Sequence, residues 1–154
     1  MYDPTIDFMS APPIMPKMQF YGLGIGPRDE EVDGMKLAHL KTCLRDHGIR
    51  NGTRKILKLD IEGAEFASLA SAMDILNEFD HLLMEVHYLD FKNETMYKPI
   101  KDLQKYFYLY HVHYNNNAAK DGNGKFVFET SWIRKDIAKQ VRLSESSFPT
   151  IGLD

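Results

Sequence analysis

The residues able to do chemistry gather at two places. Asp60-Ile61-Glu62-Gly63-Ala64-Glu65 sets three acids around one glycine, directly after the apolar run Ile56-Leu57-Lys58-Leu59. Met84-Glu85-Val86-His87 sets an acid and an imidazole at the end of a second apolar run. An acid that closes a buried strand needs a partner or a ligand, because an isolated carboxylate is costly to remove from water. Asp60 and Glu85 are therefore the leading candidates, with His87 beside them. Glu62 and Glu65 fit two roles equally well, since acids in the first turn of a helix also offset the positive end of its dipole, by about 0.3–1 kcal/mol each. Carboxylates beside an imidazole can take and return a proton. Asp60, Glu62, Glu85 and His87 also offer hard oxygen donors to a divalent cation, but their spacing does not demand one, so no metal is assigned.

Other reactive residue types have plainer readings. His111 and His113 stand two apart on a strand and so share a face, which suits either a metal pair or polar surface, and surface is the expectation. Cys43, the single cysteine, excludes an intramolecular disulfide framework and reads as a small core residue. Tyr106, Tyr108, Tyr110 and Tyr114 read as packing along a sheet edge.

Strands and helices must hold these groups. A short strand over 18–21 leads into Gly22-Leu23-Gly24-Ile25-Gly26, and 28–33 reads as a charged loop. Leu37, Leu40, Cys43 and Leu44 share a helical face, predicting a helix over 35–47 that stops at Gly48. Strands follow over 55–61 and 81–87, with a helix over 64–79 between them. A helix over 97–107 carries Pro99 in its first turn, where the missing N–H costs nothing. Strands over 108–114 and 125–133, joined by the turn-rich 115–124, predict an antiparallel hairpin. This alternation predicts an α/β sheet, mostly parallel, with an antiparallel edge at its carboxyl-terminal end. Parallel neighbours place their carboxyl ends together, where ligands bind. If the strands over 55–61 and 81–87 are adjacent and parallel, Asp60 and Glu85 meet in one crevice.

Composition bounds the function. The chain has 154 residues, 44% hydrophobic and 27% charged, with a formal net charge of -3. These values suit one globular domain rather than disorder. The mild acidity argues against a nucleic-acid partner. No run approaches the roughly 18–20 apolar residues of a membrane span, so no membrane contact is expected. Residues 1–20, with four prolines and no apolar core, do not read as a signal peptide, and the compartment is left open. Sequons at Asn51 and Asn93 matter only in a secretory compartment.

Ile56-Leu-Lys-Leu-Asp60-Ile-Glu62-Gly-Ala-Glu65 resembles the Leu-Lys-x-Asp-Ile-Glu-Gly-Ala-Glu motif of FkbM-type, methyltransferase-like domains. Leu83-Met-Glu85-Val-His87 is similar to that family's acid-plus-histidine fifth strand, Tyr2-Asp3-Pro-Thr-Ile6 to the end of its second, and the strand of Trp132 to its closing hairpin. The resemblance spans about residues 2–135 and implies a Rossmann-like class I methyltransferase sheet with S-adenosylmethionine as cofactor. It also implies a first strand and glycine-rich turn ahead of Asp3, so residues 1–139 are expected to form an N-terminally incomplete methyltransferase domain and 140–154 a flexible tail. Gly22-x-Gly24-x-Gly26 is not that turn, because Pro27-Arg28-Asp29-Glu30-Glu31 follows where a helix should open; it matches the family's third strand instead.

The resemblance implies that Asp3 accepts from the cofactor ribose, that Ile25 and Gly26 lie near the adenine, and that Asp60 sits beside the methyl-bearing centre with Glu62 shaping the turn beneath. Glu85 or His87 would position or deprotonate a hydroxyl on a small-molecule or sugar acceptor. Two other readings stay open: a non-catalytic pseudoenzyme or interaction fragment, prone to associate, and a metal-dependent hydrolase built on the acids.

Overall fold

A computed structural model describes residues 2–5, 19–47, 54–89, 93–114 and 126–138. The turn over 115–124, the tail beyond 139, the Pro-rich 10–17, residue 18 and the sequon at Asn51 lie outside the described residues. The chain is α/β, with two sheets and three helices among the described residues. Strands β1 (Gly24–Gly26), β2 (Glu30–Val32) and β3 (Met35–His39) form one sheet in the order β1-β3-β2. Strands β4 (Ile56–Leu59), β5 (His81–Leu89), β6 (Phe107–Tyr114) and β7 (Phe126–Arg134) form the other in the order β4-β5-β7-β6. The helices are α1 (Leu40–Asp46), α2 (Glu65–Ala72) and α3 (Glu94–Leu103).

The first sheet departs from the sequence reading. Gly24 and Gly26 do not follow a strand; they are the ends of strand β1, paired in parallel with β3 from Gly24 opposite Leu37 to Gly26 opposite His39. A Cβ on Gly26 would lie 3.2 Å from Leu37 Cβ, so the glycine permits a close strand approach. The segment expected as a charged loop is half of a hairpin, β2 and β3 meeting with Val32 opposite Met35. Asp33 and Gly34 both have positive φ, at 51° and 80°, the backbone that a two-residue primed turn requires. Pairing with β1 and β2 holds Met35–His39 extended, so the expected helix shortens to α1, capped where the His39 ring accepts from the Lys41 N–H.

The second sheet carries the expected β4-α2-β5 unit, with β4 and β5 parallel from Ile56 opposite His81 to Leu59 opposite Met84. The expected closing hairpin is present, β6 against β7. A mostly parallel sheet is not what forms: of the five described strand pairings, β1–β3 and β4–β5 are parallel and the other three antiparallel. The antiparallel strand is also internal rather than at the edge, since β7 lies between β5 and β6.

Helix α2 is shorter than the 64–79 expected. After Ala72 the chain tightens to three-residue hydrogen bonds, Ile75 N–H to Ala72 and Phe79 N–H to Leu76, through a 3-10 turn at Leu76–Glu78. The Ser71 hydroxyl donates back to the Ser68 carbonyl at 2.9 Å, a contact that loosens a helix end. Helix α3 begins earlier than expected because the Asn93 side chain caps it, accepting from Met96 N–H at 3.2 Å; Pro99 therefore falls in the second turn, not the first.

One apolar cluster joins both sheets. Leu69, Ala72 and Leu76 pack with Leu59, Leu82 and Trp132, and Ile25, Ala38, Leu40 and Cys43 belong to the same cluster. Each fully buried leucine contributes about 1.5–3 kcal/mol of transfer free energy. Trp132 keeps its indole N–H satisfied on Thr130 Oγ1 at 3.0 Å. At the amino ends of the strands Asp80 is structural, accepting from Lys55 N–H at 3.0 Å and pairing with Arg134 at 3.3 Å. No helix among the described residues is long and apolar enough to cross a membrane.

Candidate functional site: an acid and histidine cluster at the carboxyl ends of two strands

The register of β4 and β5, continued by one residue, brings Asp60 level with Glu85. Asp60, Glu85 and His87 accordingly converge, with one ligand-type atom from each lying within 4.8 Å of the others. The two acids therefore meet at the carboxyl ends of adjacent parallel strands, as expected. Asp60 is exposed and pairs with Lys58 Nζ at 2.8 Å, Glu85 is half-buried, and the His87 side chain is only 8% exposed.

The turn between β4 and α2 builds the floor. Glu62 holds φ 54° and Gly63 φ 102°, a left-handed pair that reverses the chain in two residues. Glu62 is a non-glycine residue in that region, a conformation costing about 1–2 kcal/mol unless the surroundings enforce it. Its carboxylate reaches 3.5 Å from His87 Nε2, and Glu85 Oε1 lies 3.8 Å from the same nitrogen.

Glu65 is what fixes the turn. Its side chain is wholly buried, and Oε1 accepts from Ile61 N–H at 3.1 Å, from Gly63 N–H at 3.1 Å and from His87 Nδ1 at 3.0 Å. An oxygen taking two backbone donors is an acceptor, so the ring proton sits on Nδ1 and Nε2 is turned toward Glu62 and Glu85. Glu65 thus does more than offset a helix dipole; it sets the tautomer and orientation of His87. The other oxygen, Oε2, is buried without a hydrogen-bond partner among the described residues.

Glu129 is a residue that the sequence reading did not single out. On β7 it stands directly opposite Glu85 of β5 and, on its other side, opposite His113 of β6. A row of titratable groups therefore crosses three strands at one level, beside Asp60 on β4. His113 stands in this row and His111 stands opposite Ser131 two residues before it, and both are exposed, as expected of polar surface.

The residues expected around a cofactor lie with the first sheet. Tyr2 bridges Tyr21 in parallel fashion, and Asp3 N–H donates to the Tyr21 carbonyl at 3.2 Å. The Asp3 carboxylate closes a local turn, accepting from Thr5 N–H at 2.9 Å and from its hydroxyl at 2.7 Å. Ile25 and Gly26 are buried in β1, their backbone paired to Ala38 and His39. The structure thus gathers Asp60, Glu62, Glu85 and His87 and leaves Asp3, Ile25 and Gly26 in a separate group. Cys43 is buried in the core as expected, and burial pushes its thiol up. Tyr114 packs against Phe128 at the sheet edge as expected, with ring centroids 5.7 Å apart, whereas Tyr106, Tyr108 and Tyr110, on or beside edge strand β6, are largely exposed.

No protein-family model matches the chain, and neither a curated protein nor a solved structure matches it.

Proposed function

We propose that this chain is a domain of an S-adenosylmethionine-dependent methyltransferase acting on a hydroxyl of a small molecule or sugar. The observation that carries the reading is the convergence of Asp60, Glu85 and His87 at the carboxyl ends of the parallel strands β4 and β5. Ligands of α/β sheets bind at such strand ends. The ten-residue motif that resembles the methyltransferase-like family supplies Asp60 and the Glu62-Gly63 turn, and β5 supplies the acid and histidine of the same resemblance. The inserted strand β7 gives the carboxyl-terminal antiparallel hairpin that the family reading calls for.

In this reading the acceptor hydroxyl lies among Asp60, Glu85 and His87, and Glu85 or His87 takes up its proton as the methyl group arrives. A positioned base contributes about 10²- to 10⁴-fold, and alignment of nucleophile and methyl supplies much of the rest. His87 suits the task because Glu65 holds its ring so that Nε2 faces the crevice. Asp3 receives the ribose hydroxyls, displacing its present contact with Thr5, while Ile25 and Gly26 line the adenine.

Comparing Asp60→Ala with the parent chain tests the assignment. Asp60 is exposed and in no core contact, so the variant should melt normally while losing about tenfold or more in affinity for S-adenosylhomocysteine. Equal affinity in a folded variant would refute the role given to Asp60.

A further inference from the structure

We infer that Asp60, Glu85 and His87 bind one divalent transition-metal cation, with Glu65 positioning the histidine from behind. The proposal rests on the acceptor-site reading for its purpose but not for its existence, and metal binding can be tested without cofactor or acceptor.

Geometry comes first. Donor atoms on opposite sides of an octahedral ion with bonds of about 2.1 Å stand about 4.2 Å apart. The three donor atoms here are spread over no more than 4.8 Å, so small side-chain rotations close the shell.

Electrostatics gives the independent argument. Nδ1 is turned to Glu65, so Nε2 is the nitrogen that points toward the carboxylates of Glu62 at 3.5 Å and Glu85 at 3.8 Å, and a cation placed there meets a ring nitrogen and two acids at once. Across β5 and β7, Glu85 also stands directly opposite Glu129, a like-charge pairing that destabilises a sheet. Behind the histidine, Glu65 is buried with an unpartnered Oε2, which adds negative potential from a side that water does not screen. Lys58 on Asp60 is an exposed ion pair that a divalent ion can displace.

The carboxylate–imidazole pair of Glu65 and His87 is the arrangement that metal-bound histidines generally have, with one nitrogen on a carboxylate and the other on the ion. One imidazole with two carboxylates suits Mn²⁺, Fe²⁺ or Zn²⁺ better than Mg²⁺, which prefers oxygen and water, or soft ions, which prefer thiolates. A hydroxyl bound to such an ion loses its proton more readily, which is the task proposed for this crevice.

The test is titration of the EDTA-treated 154-residue chain with MnCl₂, followed by electron paramagnetic resonance, with loss of the free-ion signal reporting bound metal. One saturable Mn²⁺ per chain is expected. Asp60→Asn and Glu85→Gln, each checked for a normal melt, should weaken it about tenfold or more, and Glu65→Gln, which loosens the hold on the His87 ring, should weaken it about as much. Asp74→Asn, an exposed acid paired with Lys41 on another part of the surface, should leave it unchanged. The proposal is overturned if no Mn²⁺ binds, or if binding is multiple and indifferent to both Asp60→Asn and Glu85→Gln.

Discussion

Glu65 carries more of the site than any residue nearer the crevice. Its buried oxygen accepts from Ile61, Gly63 and His87, tying the turn, the helix start and the histidine to one carboxylate. Removing it takes the acceptor away from the Ile61 and Gly63 N–H groups and from the buried His87 ring N–H. Glu65→Ala should therefore cost about 3–5 kcal/mol in urea unfolding, within the range for breaking one side of a buried polar pair. A loss below about 1 kcal/mol would show that the carboxylate is not the anchor. The sequence displayed Asp60 and Glu85 well, because an acid ending an apolar strand is visible without a fold. Glu65 was visible only as a first-turn acid, since nothing in its spacing tells a dipole contact from a buried anchor. Glu129 was not legible, because its importance comes from β7 pairing with β5 across more than forty residues of chain.

At the scale of elements, local chemistry decided where the reading held and where it failed. The strand-helix-strand unit β4-α2-β5 follows from two apolar runs around an apolar helix, and the structure keeps it. The region 35–47 also had helical spacing, but its first five residues are strand β3. The Asp33-Gly34 dipeptide, a strong hairpin signal, was there to be read and outweighs a helical stripe of four residues. Helix α3 supplies a pH prediction. Lys105, and then Lys98, donate to Asp102 and hold its carboxyl down to about 2. An unfolded aspartate titrates near about 3.9. The folded state thus gains from the ionised carboxylate above about pH 4, and that gain disappears as pH falls toward about 2. Asp102→Asn should lower the melting temperature slightly at pH 7 and leave it unchanged at pH 2. Added salt should shrink the difference, because these are surface pairs. An equal shift at both pH values would contradict the ion-pair account.

For the whole molecule, the two sheets share a single apolar cluster, and Cys43 reports on it from α1. Its thiol is buried and pushed up by that burial, so a disulfide reagent such as dithionitrobenzoate should react slowly with the native chain and rapidly once urea unfolds it. Native reaction at the rate of a free thiol would show that α1 is not packed as described. The α/β class was legible from the residues alone, because alternation of strand and helix patterns is a local property. The division into two sheets and the insertion of β7 were not, because they depend on pairings between distant segments.

The central claim is that this arrangement serves S-adenosylmethionine chemistry, and it is tested most directly by calorimetric titration of the 154-residue chain with S-adenosylhomocysteine. The account predicts saturable binding of one molecule per chain, with adenosine alone binding more weakly. A folded sample that takes up no S-adenosylhomocysteine would contradict it.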